Sequence, residues 1–279
     1  MFLFCNVKCP PLLEQSNVMQ KNIQGGYVRH EIHQHISTIE FFHPQSNALP
    51  TAILTELAHA IHDAANNVDA RVIVLKSAGE KAFCSGAFFD ELLQVQTEQQ
   101  GTQFFSGVAN VINAIRKSPK FIVGRIQGKC VGGGVGIAAA CDYAIALEGA
   151  DIKLSELSIG IGPFVVGPVL ERKMGLSAFS QLAIDSSLWR NTEWARRKGL
   201  FAEMHSSVEG MDESIRRLAY SLSHSSIKAS SELRKVLWAG TENWDSLLKE
   251  RAAISGKLVV SAETKQAIES FKAKRKEEV

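Results

Sequence analysis

Two glycine-punctuated segments are the places where this chain could do chemistry: Gly79-Glu-Lys-Ala-Phe-Cys-Ser-Gly-Ala87 and Gln127-Gly-Lys-Cys-Val-Gly-Gly-Gly-Val-Gly136. Each leaves an apolar run that reads as a buried strand, Val72–Leu75 and Phe121–Ile126, and the second segment enters a helix. A glycine run at a helix N-terminus lets a ligand approach the backbone, with unpaired N–H groups and the positive end of the helix dipole aimed at it. That geometry serves a phosphate or an oxyanion. The P-loop pattern is excluded because no Gly-Lys-Ser/Thr follows the glycines. Gly132-Gly-Gly-Val-Gly136 also lacks the spacing of a dinucleotide fingerprint. Either loop alone is equally well explained by tight turns and close helix packing, whereas the two together point to a ligand.

Other candidates carry less. His33 and His35 would share one face of a strand, but no carboxylate–histidine cluster accompanies them and surface residues are the better reading; no metal is expected. Cys84 and Cys130 sit inside the two loops. With no histidine near either, they read as small buried residues rather than nucleophiles. Trp189, Trp194, Trp238 and Trp244 read as packing residues on helices.

The elements that must position the loops follow from periodicity. Strands are expected over 27–33, 36–42, 71–76, 121–126 and 143–147, with helices over 50–66 and around Phe104–Ile115. From about Val165 onward the signals are almost all helical: 165–174, 178–185, 192–198, 212–224, 230–239, 244–259 and 263–274. An α/β core over 25–200 and a helical region over 201–279 result, preceded by a poorly ordered extension over 1–24 in which Met19 is a candidate start. Trp244, Leu247, Leu248, Arg251, Ile254 and Leu258 form a stripe suited to the chain's own core or to subunit contacts.

Composition narrows the class. With 45% hydrophobic and 22% charged residues the chain is an ordinary globular protein, and a formal charge of +2 gives no field for nucleic acid or an anionic membrane. The basic run at 272–276 reads as a solvated tail. Five cysteines cannot all pair, and reduced thiols in a cytoplasmic protein are expected. No segment is long and apolar enough to span a bilayer, and Met1-Phe-Leu-Phe-Cys5 is too short for a signal sequence.

Taken together, the motifs resemble those of the crotonase superfamily, the enoyl-CoA hydratase/isomerase family. They are Asn47-Ala48-Leu49, the two glycine loops, Ala140-Cys-Asp142, Ser155-Glu-Leu-Ser-Ile-Gly160, Trp194-Ala-Arg-Arg-Lys-Gly-Leu200 and the Ser261–Phe271 segment, in the family's order and spacing over about Gly25 to Lys274. The resemblance implies a crotonase-like α/β spiral of ββα repeats with a C-terminal helical region that assembles a homotrimer or hexamer. It implies an acyl-CoA thioester as substrate, with coenzyme A part of that substrate and no separate cofactor. The oxyanion hole falls on the backbone N–H groups of Ala87 and Gly133, each worth about 3 kcal/mol as the thioester oxygen gains charge. Glu156 matches one of the two glutamates of the family's hydratases and would be the acid/base.

The resemblance further implies that Phe83, Ser85, Gly86, Phe88, Gly132, Gly136 and Phe164 surround the substrate. Two departures matter. The family's other glutamate falls on Gly136, which is expected to leave an empty space opposite Glu156 for a bulkier acyl group or a loosely held water. The stretch Gly160–Val166 carries no carboxylate and reads as an apolar wall beside the acyl group, while Phe88-Phe89-Asp90 leaves the CoA phosphates to Lys81 or Lys272. A 2-enoyl-CoA hydratase or hydratase-lyase leads, an enoyl-CoA isomerase is the alternative, and a catalytically lapsed CoA-binding subunit is the reading from another class.

Overall fold

The computed structural model describes residues 19–23 and 25–277, with side chains through residue 270. The chain opens with β1 (Met19–Ile23), β2 (Gly26–His33), β3 (Ile36–Phe42), α1 (Thr51–Asn66) and β4 (Val72–Ser77). Then come β5 (Ala82–Cys84), the one-turn α2 (Phe89–Leu92), α3 (Glu98–Lys117), β6 (Ile122–Ile126), β7 (Lys129–Val131) and α4 (Gly133–Ala140). β8 (Tyr143–Leu147), β9 (Ile152–Lys153) and a 3-10 turn at Leu157–Ile159 complete the core. The remainder is α5 (Gly167–Ile184), α6 (Thr192–Arg197), β10 (Glu203–His205), α7 (Val208–Ser223), α8 (Ile227–Leu237), α9 (Trp244–Val259) and α10 (Ala262–Glu277).

Seven strands form one sheet in the order β1-β2-β3-β4-β6-β8-β10, and β5, β7 and β9 form a second, parallel one. Each of β4, β6 and β8 is thus followed by a short strand of the small sheet before the chain turns helical, which is the expected spiral of ββα repeats. Strand alternation sorts the core. Val72 and Val74 of β4 join Val123 and Ile145 against Met211, Ile215 and Ala219 of α7. Ile73 and Leu75 point the other way, into the cluster with Ile53, Leu57 and Ile61 of α1 and Ile112 and Ile115 of α3.

Several expectations are corrected. Residues 19–23 belong to no loose extension: they pair antiparallel with β2, Met19 opposite His30 through Ile23 opposite Gly26. Residues 1–18, with Cys5 and Cys9, lie outside the described residues, as does the Lys272 side chain. His35 does not share a strand face with His33. It sits with Gln34 in a two-residue turn where both have positive φ, +65° and +48°, the geometry that matches a hairpin's twist. The helices expected over 165–174 and 178–185 are borne out: α5 consists of two helices that meet at non-helical backbone at Gly175.

The helical tail is fastened to the core by buried polar groups. Arg234 of α8 is 2% exposed; its Nε donates to Asp142 Oδ2 at 2.9 Å, and its Nη atoms donate to the carbonyls of Ile115, Arg116 and Ser118. A guanidinium thus satisfies the carbonyl end of α3, where the helix dipole is negative. Trp238 Nε1 donates to the other Asp142 oxygen at 2.8 Å. Part of the α9 stripe turns inward as well: Trp244 and Leu248, with their neighbour Ala252, are in the main core. Among the described residues no helix is long and apolar enough to cross a membrane.

Candidate active site

Pairing of β5 with β7, Cys84 opposite Cys130, brings the two glycine loops side by side. The loops touch: a Cβ on Gly86, whose φ is +87°, would stand 2.9 Å from the Val131 carbonyl oxygen and 3.9 Å from Gly133 N. Asn47 and Gln127 hold the approach to the first loop. Asn47 Nδ2 donates to the carbonyls of Ala78 and Ala82 at 2.8 and 2.9 Å. Gln127 Nε2 donates to Ser77 Oγ at 2.8 Å, with Gly79 and Ala82 carbonyls at 3.1 and 3.3 Å.

The N–H groups around the loops divide into spent and unspent. Leu49 N donates to Gly86 O, Gly132 N to Lys153 O, and Val135 and Gly136 N to Gly132 O. The Ala87 and Gly133 N–H groups take no hydrogen-bond partner among the described residues, and both residues line the same cavity. Gly133 is the first residue of α4, so its N–H also lies at the positive end of that helix.

Glu156 follows β9, whose pairing with β7 puts it beside the second loop. Gly132, with φ +53°, would place a Cβ 3.0 Å from Glu156 Oε1, so the glycine makes room for the carboxylate. The residue keeps some accessible surface, yet Oε2 is enclosed and has no hydrogen-bond partner. Burial pushes the carboxyl up from 4.5 to about 7, opposed by its own backbone N–H. A carboxyl balanced near neutrality can both take and return a proton.

A cavity of about 670 Å³ connects these groups. Its walls include Leu49, Leu54, Phe104, Phe105, Val108, Ile159, Ile161, Val165 and Val166, and Glu156 is the one carboxylate among its described lining residues. Of the residues expected to surround a substrate, Ser85, Gly86 and Gly132 line it. Phe83 does not: it is fully buried and packs edge-on against Phe41, 5.4 Å away. Phe88 packs on the His43 ring at 5.0 Å instead, and Phe164 is replaced on the wall by its neighbours Pro163, Val165 and Val166.

Gly136 is the main correction. No empty space lies beside it. A Cβ there would stand 2.3 Å from Val166 Cγ1, so Val166 fills the volume that a side chain at 136 would need, and Gly136 itself is absent from the cavity wall. Cys84 borders the cavity, but burial raises its thiol to about 12, and it is no nucleophile near neutral pH.

Of the polar rim, sequence reasoning named Lys81 and missed Lys129, Lys153 and Trp189. Lys81, Lys129, Lys153 and Trp189 border the cavity, with Lys129 Nζ 4.9 Å and Lys153 Nζ 5.7 Å from the Trp189 ring centroid. Trp189 is 39% exposed in the segment between α5 and α6, not a packing residue on a helix. One signal was available, since Lys129 lies in the second glycine loop, on β7, and Lys153 on the paired strand β9 that leads to Glu156.

The model of the family described as Enoyl-CoA hydratase/isomerase matches residues 31–278. A Bacillus subtilis protein named "Probable enoyl-CoA hydratase" is 26% identical over 247 residues, covering 88% of this chain and 95% of that one. The peroxisomal Delta(3,5)-Delta(2,4)-dienoyl-CoA isomerase of Arabidopsis thaliana is 25% identical, covering 82% and 87%. The crystal structure of enoyl-CoA hydratase from Bacillus halodurans superposes with a TM-score of 0.81 at 25% identity, covering 87% of this chain and 99% of that one.

Proposed function

The chain belongs to the enoyl-CoA hydratase/isomerase family, and on that footing we propose that it moves a double bond within an enoyl-CoA thioester by proton transfer through Glu156. The thioester oxygen sits between the Ala87 and Gly133 N–H groups. Ionised Glu156 takes a proton from the α-carbon of a 3-enoyl thioester, the oxyanion donors hold the dienolate, and Glu156 returns a proton to the γ-carbon. The double bond shifts into conjugation with the carbonyl, and no water is consumed.

One observation carries this reading: Val166 fills the room beside Gly136, where the family's other glutamate falls, and Glu156 is the single carboxylate among the described residues that line the cavity. A bound water needs two to four polar partners, and the aliphatic Val166 side chain supplies none where a second carboxylate would have stood. Hydration of 2-enoyl thioesters is the second reading, favoured by the printed name of the relative covering 88% of the chain. Lys81, Lys129 and Lys153 hold the CoA phosphates, with the Trp189 ring beside them. The helical tail assembles a trimer or hexamer, and the buried thiols Cys84, Cys130 and Cys141 fit a reducing compartment such as the cytoplasm. The test assays a 3-enoyl-CoA, crotonyl-CoA and an aromatic enoyl-CoA side by side. Faster turnover of the 3-enoyl substrate is expected; preferential hydration of crotonyl-CoA overturns the isomerase reading in favour of the hydratase.

A further inference from the structure

The Ser261–Phe271 motif has no part in the chemistry above, yet its first turn touches the segment that carries Glu156. Thr264 is 2% exposed, and its Oγ1 donates to the Gly160 carbonyl at 3.1 Å. The approach is close: a Cβ on Gly160 would stand 2.6 Å from Thr264 Oγ1 and 3.2 Å from Thr264 Cα. Gly160 ends the 3-10 turn that begins at Glu156, and the Glu156 carbonyl accepts from Ile159 N and Ile161 N at 3.1 and 3.0 Å. The turn from Glu156 to Ile161 is therefore one hydrogen-bonded unit with Thr264 seated on its far end. Apolar packing reinforces the seat, since Ile268 of α10 and Val259 of α9 share a cluster with Ile159 and Ile161, which also line the cavity.

We propose that Thr264 is a positioning residue: through Gly160 it fixes the Glu156 turn, so α10 sets where the carboxylate stands in the cavity. The contact acts through position and enclosure. Releasing Gly160 lets the turn move outward and admits solvent to Glu156 Oε2, which is now enclosed without a partner. The titratable groups bordering the same cavity are Cys84, Lys81, Lys129 and Lys153. On α10 the neighbouring Lys265 reaches Gln96 and Glu263 is exposed, so neither replaces the Thr264 hydroxyl.

The inference rests on Glu156 being the acid/base, and its test reads Glu156 directly as well as activity. In full-length protein, Thr264→Val keeps the volume and removes the hydroxyl, and Thr264→Ser keeps the hydroxyl. Titration of the Glu156 carboxyl is followed by ¹³C NMR, assigned with Glu156→Gln, alongside kcat and KM on the best enoyl-CoA. Thr264→Val is expected to lower the Glu156 midpoint by half a pH unit or more and kcat about tenfold, with KM within twofold; Thr264→Ser restores both. A folded Thr264→Val with the parental Glu156 midpoint overturns the proposal, whatever its turnover. Should Thr264→Val fail to fold, Ser261→Ala carries the same readout, because Ser261 Oγ accepts from Thr264 N at 3.2 Å and orients that turn. A parental midpoint there is equally decisive. Separately, undiminished turnover in Glu156→Gln removes the acid/base reading and leaves the NMR result to judge the contact alone.

Discussion

At the scale of single residues, the burial that would suit Glu156 to proton transfer also costs stability. Its carboxyl is raised from 4.5 to about 7 by burial, with Oε2 unpaired. Between those values the folded chain holds a proton that the unfolded chain has released. The stability this confers is complete below pH 4.5 and is lost as pH rises through about 7, a loss of roughly 3 kcal/mol. Glu156→Gln is thus expected to unfold at a higher temperature than the parent at pH 8 and at the same temperature near pH 4.5, by paired thermal melts. Its turnover should fall by about 10²–10⁴-fold with thioester affinity kept. In the parent, the proposed role of ionised Glu156 as base makes kcat/KM rise with pH through a midpoint near 7. Gly136 and Val166 form the other telling pair. Gly136→Ala puts a Cβ into Val166 and should cost about 1–3 kcal/mol, relieved when Val166→Ala is added; denaturant melts of the cycle measure the coupling. Position 136 also marks the limit of reading a site from sequence. That Ala87, Gly133 and Glu156 would meet at one cavity was legible because they sit in motifs of fixed spacing. What fills the room beside Gly136 was not, because Val166 reaches it from a segment thirty residues away through packing that no local pattern records.

At the scale of elements, long periodic segments were legible and short ones were not. Burial of one face repeats several times in α1, α3 and α7, so their apolar spacing stands out in the sequence. β5, β7 and β9 have three, three and two residues, too few for any period to register, although they are the strands that set the two loops beside Glu156. α3 begins earlier than its apolar marks suggested, at a Thr97–Gln100 capping box that the sequence does spell out. Arg234 shows how the tail elements are tied on: a cation inside α8 closes the carbonyl end of α3 and pairs with Asp142. Removing it leaves Asp142 buried with a lost partner and strips those carbonyls. Arg234→Met should therefore destabilise by about 3–5 kcal/mol despite its similar length, visible as a lowered midpoint in urea.

At the scale of the whole molecule, the exposed apolar surface is uneven. Among the described residues, apart from Met19 and Val68, every exposed large hydrophobic side chain lies at Leu157 or beyond. The α9 stripe that the sequence suggested for the chain's own core or for subunit contacts is divided: Trp244 at 6% and Leu248 at 0% exposure pack on the core, while Ile254 is 39% exposed. A more exposed apolar face lies on α8. On α8, Leu233, Val236 and Leu237 follow the i, i+3, i+4 spacing of one helix face and are 52%, 71% and 52% exposed. Three large aliphatic side chains on one short helix, next to the buried Arg234 anchor, are costly to leave in water, at about 25 cal/mol per Å² of apolar surface. Covering that face with a second copy of the chain recovers the cost, and a closed ring satisfies every protomer alike. Light scattering is accordingly expected to give three protomer masses, or six, at micromolar concentration. Val236→Lys with Leu237→Glu should shift the protein toward monomer, while exchanging the charges at two exposed positions of α9, Lys249→Glu with Glu250→Lys, should leave it assembled. A monomeric parent sinks the assembly altogether. An α8 variant that stays trimeric instead moves the interface to the exposed Leu176 and Ile184 of α5.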